Sequence, residues 1–191
     1  MKNIFYISDT HFSHEAVVRM DRRPFENAKD MNEKMLENWN SVVGKQDLVY
    51  VLGDFLWKFR DEDFSLVKQL NGRKRLIKGN HDKTHSKNFK NLFESIMDYE
   101  KIKDGEHTVV LSHYPHLAYD GSYKGRNLHF YGHVHENTVE AVMVNKFILE
   151  SKTEELPMKM YNVGAMMSYM DYTPRTLEEI VEGSKGVVKN E

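Results

Sequence analysis

The sequence predicts an α/β fold in which two packed β-sheets are flanked by helices, and three observations predict it. Short apolar runs rich in β-formers occur at Ile4 to Ile7, Leu48 to Leu52 and Arg75 to Ile77, each too short for a helix. Stretches with helical spacing separate them, so the early chain reads as strand, helix, strand units. Further runs then follow one another, near Ser95 to Ile102, Thr108 to Leu111, Leu128 to Tyr131 and Met158 to Val163, and these call for a second sheet.

The elements can be justified in order. Ile4, Phe5, Tyr6 and Ile7 suit a central strand covered on both faces, and the polar turn Asp9, Thr10, His11 follows it. Asp30 with Glu33 three residues on has the spacing of a capping box, and predicts a helix from there to about Val43. Its apolar residues Met31, Met35, Leu36, Trp39, Val42 and Val43 fall on one face, as a core-facing helix requires. Gly44 is placed to end it in a left-handed cap. Leu48 to Leu52 runs as a strand into Gly53 and Asp54. Phe64, Val67 and Leu70 mark a second helix closed by Asn71 and Gly72, and Arg75 to Ile77 leads into Gly79. Thr173 and Pro174 before Leu177, Ile180 and Val181 predict a capped final helix. Residues 1–183 are expected to form a single domain, with 184–191 a frayed tail.

Composition narrows the function classes. The chain has 191 residues, 40% of them hydrophobic, which is enough for one core. A net charge of −2 with charges of both signs gives no general polyanion-binding surface, although it leaves room for a local basic patch. With no cysteine, there is neither a disulfide framework nor a thiolate metal site. No long apolar span and no basic-then-apolar leader occurs, so a cytoplasmic protein with no membrane association is expected.

Five short polar clusters each follow an apolar run: Asp9 with His11, Gly53 with Asp54, Gly79 to Asp82, Ser112 with His113, and Gly132 to His135. In open α/β sheets such positions fall on loops past the carboxyl ends of strands, where ligands gather. Asp9, His11, Asp54, Asn80, His113, His133 and His135 form a set of nitrogen and oxygen donors suited to Mn, Fe, Zn or Ni. Seven donors exceed the needs of one four-coordinate ion. Two divalent ions about 3.5–4 Å apart would use them all, an arrangement that serves in-line displacement at phosphorus by a bridging hydroxide. Gly53, Gly79 and Gly132 stand where a strand must turn sharply beside such a site. His133 and His135 project to the same side of an extended chain. His81 is surplus to coordination and free to act as general acid toward the leaving oxygen or to stabilise the developing charge, with Asp82 as a candidate to orient it.

The motifs DTH at 9–11, GD at 53–54, GNHD at 79–82, SH at 112–113 and GHVH at 132–135, in this order, resemble the calcineurin-like metallophosphoesterase superfamily. The resemblance implies a four-layer αββα sandwich with two mixed β-sheets. It also implies one ion held by Asp9, His11, Asp54 and His135, a second held by Asp54, Asn80, His113 and His133, and a catalytic His81. Asn162 to Gly164 resembles the strand end that closes the family's core. Phe55 to Lys58 stands where protein phosphatases of the superfamily carry an Asp-Arg-Gly extension, which disfavours that activity; with no room for the large capping domains of nucleases or purple acid phosphatases, the chain resembles the small bacterial and phage-type members.

The expected function is hydrolysis of phosphate mono- or diesters, nucleotide-like or otherwise small and phosphorylated. Two divalent ions would be the cofactors, with Mn effective in vitro and Fe, Zn, Ni or Mg as other choices. A catalytically weak protein-binding scaffold on the same fold is the alternative, opposed by the intact donor set. The partner is a phosphate-ester substrate. No obligate nucleic-acid partner is expected, though a nucleotide or nucleic acid is an allowed substrate. Arg126, Arg23 and Lys58 are candidates for substrate phosphate, since guanidinium and ammonium groups match phosphate oxygens. His14, His85, His107, His116 and His129 lie outside the matched positions and read as structural. Specificity is expected to sit in the loops Phe12 to Phe25, Phe55 to Asp63 and Tyr114 to Arg126.

Overall fold

The computed structural model describes residues 2–136, 138–153 and 158–187. Its elements in chain order are β1 (Ile4–Ile7), α1 (Glu15–Met20), α2 (Ala28–Val42), β2 (Leu48–Val51), α3 (Asp61–Val67), β3 (Arg73–Ile77), α4 (Lys87–Lys90), β4 (Ser95–Met97), β5 (Tyr99–Asp104), β6 (His107–Ser112), β7 (Asn127–Tyr131), α5 (Val139–Thr153), β8 (Met160–Asn162) and α6 (Leu177–Val187). Two four-stranded sheets run in the orders β1-β2-β3-β4 and β5-β6-β7-β8. The first is parallel throughout, and the second is mixed because β5 pairs antiparallel with β6.

The sheets face each other across one main core. Tyr6 of β1 is fully buried; its ring meets Phe130 edge-on at 4.8 Å, and its hydroxyl donates to Asp104 Oδ2 at 2.8 Å. On the other face of the parallel sheet, α2 buries Met31, Met35 and Trp39. The Trp39 indole nitrogen donates to the Asn71 carbonyl at 3.0 Å, so the polar atom of this large side chain is satisfied. A second cluster of Val110, Tyr119, Tyr131, Val144 and Met160 seats α5 on the outer face of the mixed sheet. The sheets are joined at their edges, where Ser8 just after β1 bridges to Gly164 just after β8. Ser8 N donates to Val163 O and Ala165 N to Ser8 O, both at 2.8 Å. This seam brings the carboxyl ends of strands from both sheets to one edge.

Several local expectations are corrected. The cap of α2 is Asn27, whose side chain accepts from Lys29 N and Asp30 N; Asp30 lies inside the first turn and accepts from Glu26 N. Gly44 is outside the left-handed region and donates instead to Asp47 Oδ2 at 2.8 Å. The run from Ser95 to Ile102 is two strands in different sheets, divided at Asp98. The final helix is capped by Thr176, which shares reciprocal bonds with Glu179, rather than by Thr173. It continues to Val187, so residues 184–187 are helical, and the rest of the expected frayed tail lies outside the described residues.

Candidate metal centre

The loops after β1 and β2 are stitched together by their backbones. Asp9 N donates to Gly53 O, His11 N to Asp54 O and Phe12 N to Phe55 O, at 2.9–3.0 Å. Asp9, His11, Asp54 and His133 all have left-handed φ, at 52°, 49°, 52° and 66°. Such conformations cost on the order of 1 kcal/mol or more for residues other than glycine, and persist where surrounding bonds over-determine them. Gly53 shows why no side chain fits at the crossing: with φ at 91°, its Cβ would sit 2.7 Å from Gly79 Cα and 2.3 Å from His113 Nδ1. The β3 loop is held by Asp82, whose buried carboxylate accepts from Gly79 N (2.8 Å), Asp54 N (3.0 Å) and Phe55 N (3.0 Å). Asp82 therefore fastens two site loops through backbone amides, which corrects its expected role as partner to the His81 ring.

The side chains then converge. Asp9 Oδ2 accepts from Ser8 Oγ (2.6 Å) and His133 N (2.9 Å), leaving Oδ1 buried and unpartnered. His11 Nε2 is likewise buried without a hydrogen-bond partner, 3.9 Å from Asp9 Oδ1 and 3.8 Å from Asp54 Oδ2. Asp54 Oδ2 also lies 3.7 Å from His113 Nε2, between two groups of imidazoles, where a shared carboxylate belongs. His113 Nδ1 is 2.7 Å from Leu52 O; since a carbonyl only accepts, that nitrogen carries the proton, and in the neutral ring Nε2 keeps the lone pair that a cation could take. Asn80 Oδ1 lies 3.0 Å from both His113 Nε2 and His133 Nδ1. Asp9 with His11 and His135, and Asp9 with Asp54 and His113, each bring their ligand atoms within 4.8 Å of one another.

These atoms fit a divalent cation. Buried polar atoms are ordinarily hydrogen-bonded; Asp9 Oδ1 and His11 Nε2 lie 3.9 Å apart without such a bond, with His135 Nε2 3.4 Å from Asp9 Oδ1, an arrangement that a cation among them would satisfy. Burial pushes the His11 imidazole down to about 3, so it is neutral and able to coordinate. Burial followed by the Asp9 charge raises the Asp54 carboxyl, as expected for two carboxylates crowded without a cation. For Asp9 burial acts upward, but contact with His135 and the nearby His113 hold it below the usual carboxylate range.

His135 has a buttress the sequence did not reveal. Its Nδ1 is 2.7 Å from Asp21 Oδ1, which fixes the proton there and leaves Nε2 to face Asp9 Oδ1 at 3.4 Å. Asp21 is held by Arg23, which donates from Nε and Nη2 to Asp21 Oδ2 at 3.0 and 2.9 Å. The Arg23 side chain is wholly buried and also donates to Thr10 O (3.0 Å) and Asp9 O (2.9 Å). This corrects its expected contact with substrate: its donors are committed to protein acceptors. Asp21 sits in an irregular charged segment with Arg22 and Arg23, and no sequence signal sets it apart from a solvated turn.

His81 lies at the rim, with its side chain 45% exposed and Nε2 4.0 Å from Asp54 Oδ2. Its backbone N donates to Asp54 Oδ1 at 2.9 Å. Trp57 approaches it edge-on at 4.9 Å and stacks on His14 at 3.7 Å, while Tyr114 packs on His133 at 4.4 Å. Lys58 is exposed beyond Trp57. Arg126 lies just before β7, at the end of the strand opposite Gly132, so it stands away from the centre. His116 N donates to His129 Nε2 at 3.0 Å, and His129 is a buried structural residue.

Comparison with known proteins agrees with this geometry. A family model described as the calcineurin-like phosphoesterase superfamily domain matches residues 1–177. An uncharacterized protein of Methanocaldococcus jannaschii is 30% identical over 185 residues, covering 95% of this chain and 91% of its own. The gene 66 protein of Mycobacterium phage D29 is 31% identical over 172 residues, covering 76% and 84%. A solved structure of a protein of unknown function from Aquifex aeolicus superposes with a TM-score of 0.72 at 28% identity, covering 95% of this chain and 99% of that one. The chain belongs to the calcineurin-like phosphoesterase superfamily and is a phosphoesterase of metal-dependent type.

Proposed function

We propose that this superfamily member hydrolyses phosphate esters at a two-ion centre held by Asp9, His11, Asp54, Asn80, His113, His133 and His135, and that it favours diesters over monoesters. The observation that carries the reading is the pair of buried, unpartnered ligand atoms, Asp9 Oδ1 and His11 Nε2, beside an Asp54 oxygen shared between two imidazole groups. Divalent ions bound there would supply a Lewis acid for the phosphoryl oxygens and acidify a bound water.

The chain's own groups do the rest. Asp54, 3.8 Å from His11 Nε2 and 3.7 Å from His113 Nε2 through Oδ2, would be held as a carboxylate by bound cations and would be available to both halves of the site. Leu52 O and Asp21 lock the His113 and His135 rings, so that Nε2 of each faces inward without rotamer search. His81, outside the donor set and open to solvent, presents Nε2 at the rim and gives its proton to the departing oxygen. Trp57 packs against His81 and Tyr114 against His133, so two different edges of the centre each offer an aromatic ring on which a substituent of a diester could rest. The experiment is hydrolysis of bis(para-nitrophenyl) phosphate and para-nitrophenyl phosphate before and after chelation, with Mn²⁺ added back. Loss and recovery of activity, with the diester faster, is expected. Activity indifferent to chelation overturns the reading.

A further inference from the structure

We propose that the exposed face of β5 and the loop before β7 form a track for a single-stranded nucleic acid, leading away from the metal centre. This rests on the phosphoesterase reading and names the substrate class of the same site. On β5 the side chains alternate: Glu100, Ile102 and Asp104 are partly buried, while Tyr99, Lys101 and Lys103 are exposed on one face. Tyr99 pairs with Ser112, next to His113, and Lys103 pairs with Thr108 at the far end. The row therefore runs about 13 Å along the strand from the metal end.

At the far end Lys101, Lys103, Lys124 and Arg126 line a cleft of about 410 Å³ with Asp120 as its one carboxylate. Asp120 accepts from Lys101 Nζ at 2.8 Å, leaving three cations over. In a chain of net charge −2 this is a local concentration of positive charge, and it marks a binding site for anions spaced along a line.

Aromatic rings accompany the cations. Tyr114, 46% exposed, stands against His133; Tyr99, 40% exposed, is stacked with His116; and Tyr123, 72% exposed, closes the basic end with Lys124 Nζ 5.0 Å from its ring centre. A row of cations with exposed rings at both of its ends, each ring backed by a neighbour on one side, suits the backbone and the bases of an unpaired strand. Duplex bases are already stacked and cannot use those faces. Neither an inorganic polyphosphate nor a lipid headgroup would give the rings a purpose.

The test uses the full chain in EDTA, which removes any contribution from bound ions, and fluorescence anisotropy of labelled dT12, U12 and a 12-base-pair duplex, with polyphosphate as competitor. A single strand of either sugar should bind more tightly than the duplex. Neutralising two cations together, Lys103→Gln with Arg126→Gln, should weaken binding about tenfold and flatten the log K against log salt slope by about 1.4. Tyr123→Ala should weaken it about fivefold or more. Equal binding by the double variant and the wild type, equal binding of duplex and strand, or full displacement by polyphosphate with no effect of Tyr123→Ala would each overturn the track. Hydrolysis of bis(para-nitrophenyl) phosphate by the same wild-type preparation with Mn²⁺ is read separately. Hydrolysis without strand binding removes the track and leaves the phosphoesterase; strand binding without hydrolysis does the reverse.

Discussion

The two halves of the proposed metal centre share Asp54 and two histidines each, but differ in their remaining donor and in how firmly they are held. In the first, Asp9 and His11 are almost fully buried, and His135 is braced through Asp21 to the buried Arg23. In the second, Asn80 is exposed, His133 is partly exposed, and an amide oxygen stands where the first half has a carboxylate. A charged, braced and dry set of donors binds a cation more firmly than a neutral and wetter one. If two ions bind as proposed, the contrast predicts that the first half holds its ion more firmly than the second, which lies next to Tyr114.

The largest expected effect comes from the buried half. Asp9→Asn should take turnover to background and lose the first ion, read by metal analysis of the purified protein; two ions retained would break the contrast. His81→Asn should lower kcat by about 10²–10⁴-fold with both ions kept, since His81 lies outside the donor set. Metal loss in that variant would show that His81 is a ligand. Asp21→Asn should weaken metal affinity at the first half by about 10–100-fold, with activity recovering at high Mn²⁺. Asn80→Ala should lower the stoichiometry from two ions to one and leave the tighter site unchanged, so calorimetric titration of both variants ranks the halves directly.

A histidine outside the centre gives the smallest effect and a control for the donors. Burial pushes His129 down to about 4, against about 6.5 in an unfolded chain. As pH falls the unfolded chain takes up the proton first. The stability His129 contributes is thus intact above pH 6.5 and lost progressively toward pH 4, by about 2 kcal/mol at pH 5. His129→Gln should flatten the change in unfolding free energy between pH 7.5 and 5. An unaltered slope would place the pH sensitivity elsewhere.

The candidate donors could be picked out of the sequence because each follows an apolar run, and strand ends are where such folds gather polar groups. The fold brings all seven candidate residues together in one place. What could not be read depended on contacts distant in sequence. Asp21 reaches His135 across 114 residues, and Arg23 looks like a surface guanidinium until the fold buries it. Asp82 was adjacent to His81 in sequence, yet the turn sends its carboxylate to three backbone amides. Arg126 does precede a metal-bearing strand, but at the opposite end of it. The division at Asp98 was hidden because β4 and β5 read as one run, and only the second sheet explains the break. Left-handed φ at Asp9, His11, Asp54 and His133 leaves no mark in residue type, because it is imposed by the stitching of the loops.

The most direct measurement of the central claim is titration of chelator-stripped protein with Mn²⁺ while hydrolysis of bis(para-nitrophenyl) phosphate is followed. No activity without metal, and a rise that saturates at two equivalents after a tighter first ion, is the predicted result. Full activity in the stripped protein, or saturation at a single equivalent, would contradict it.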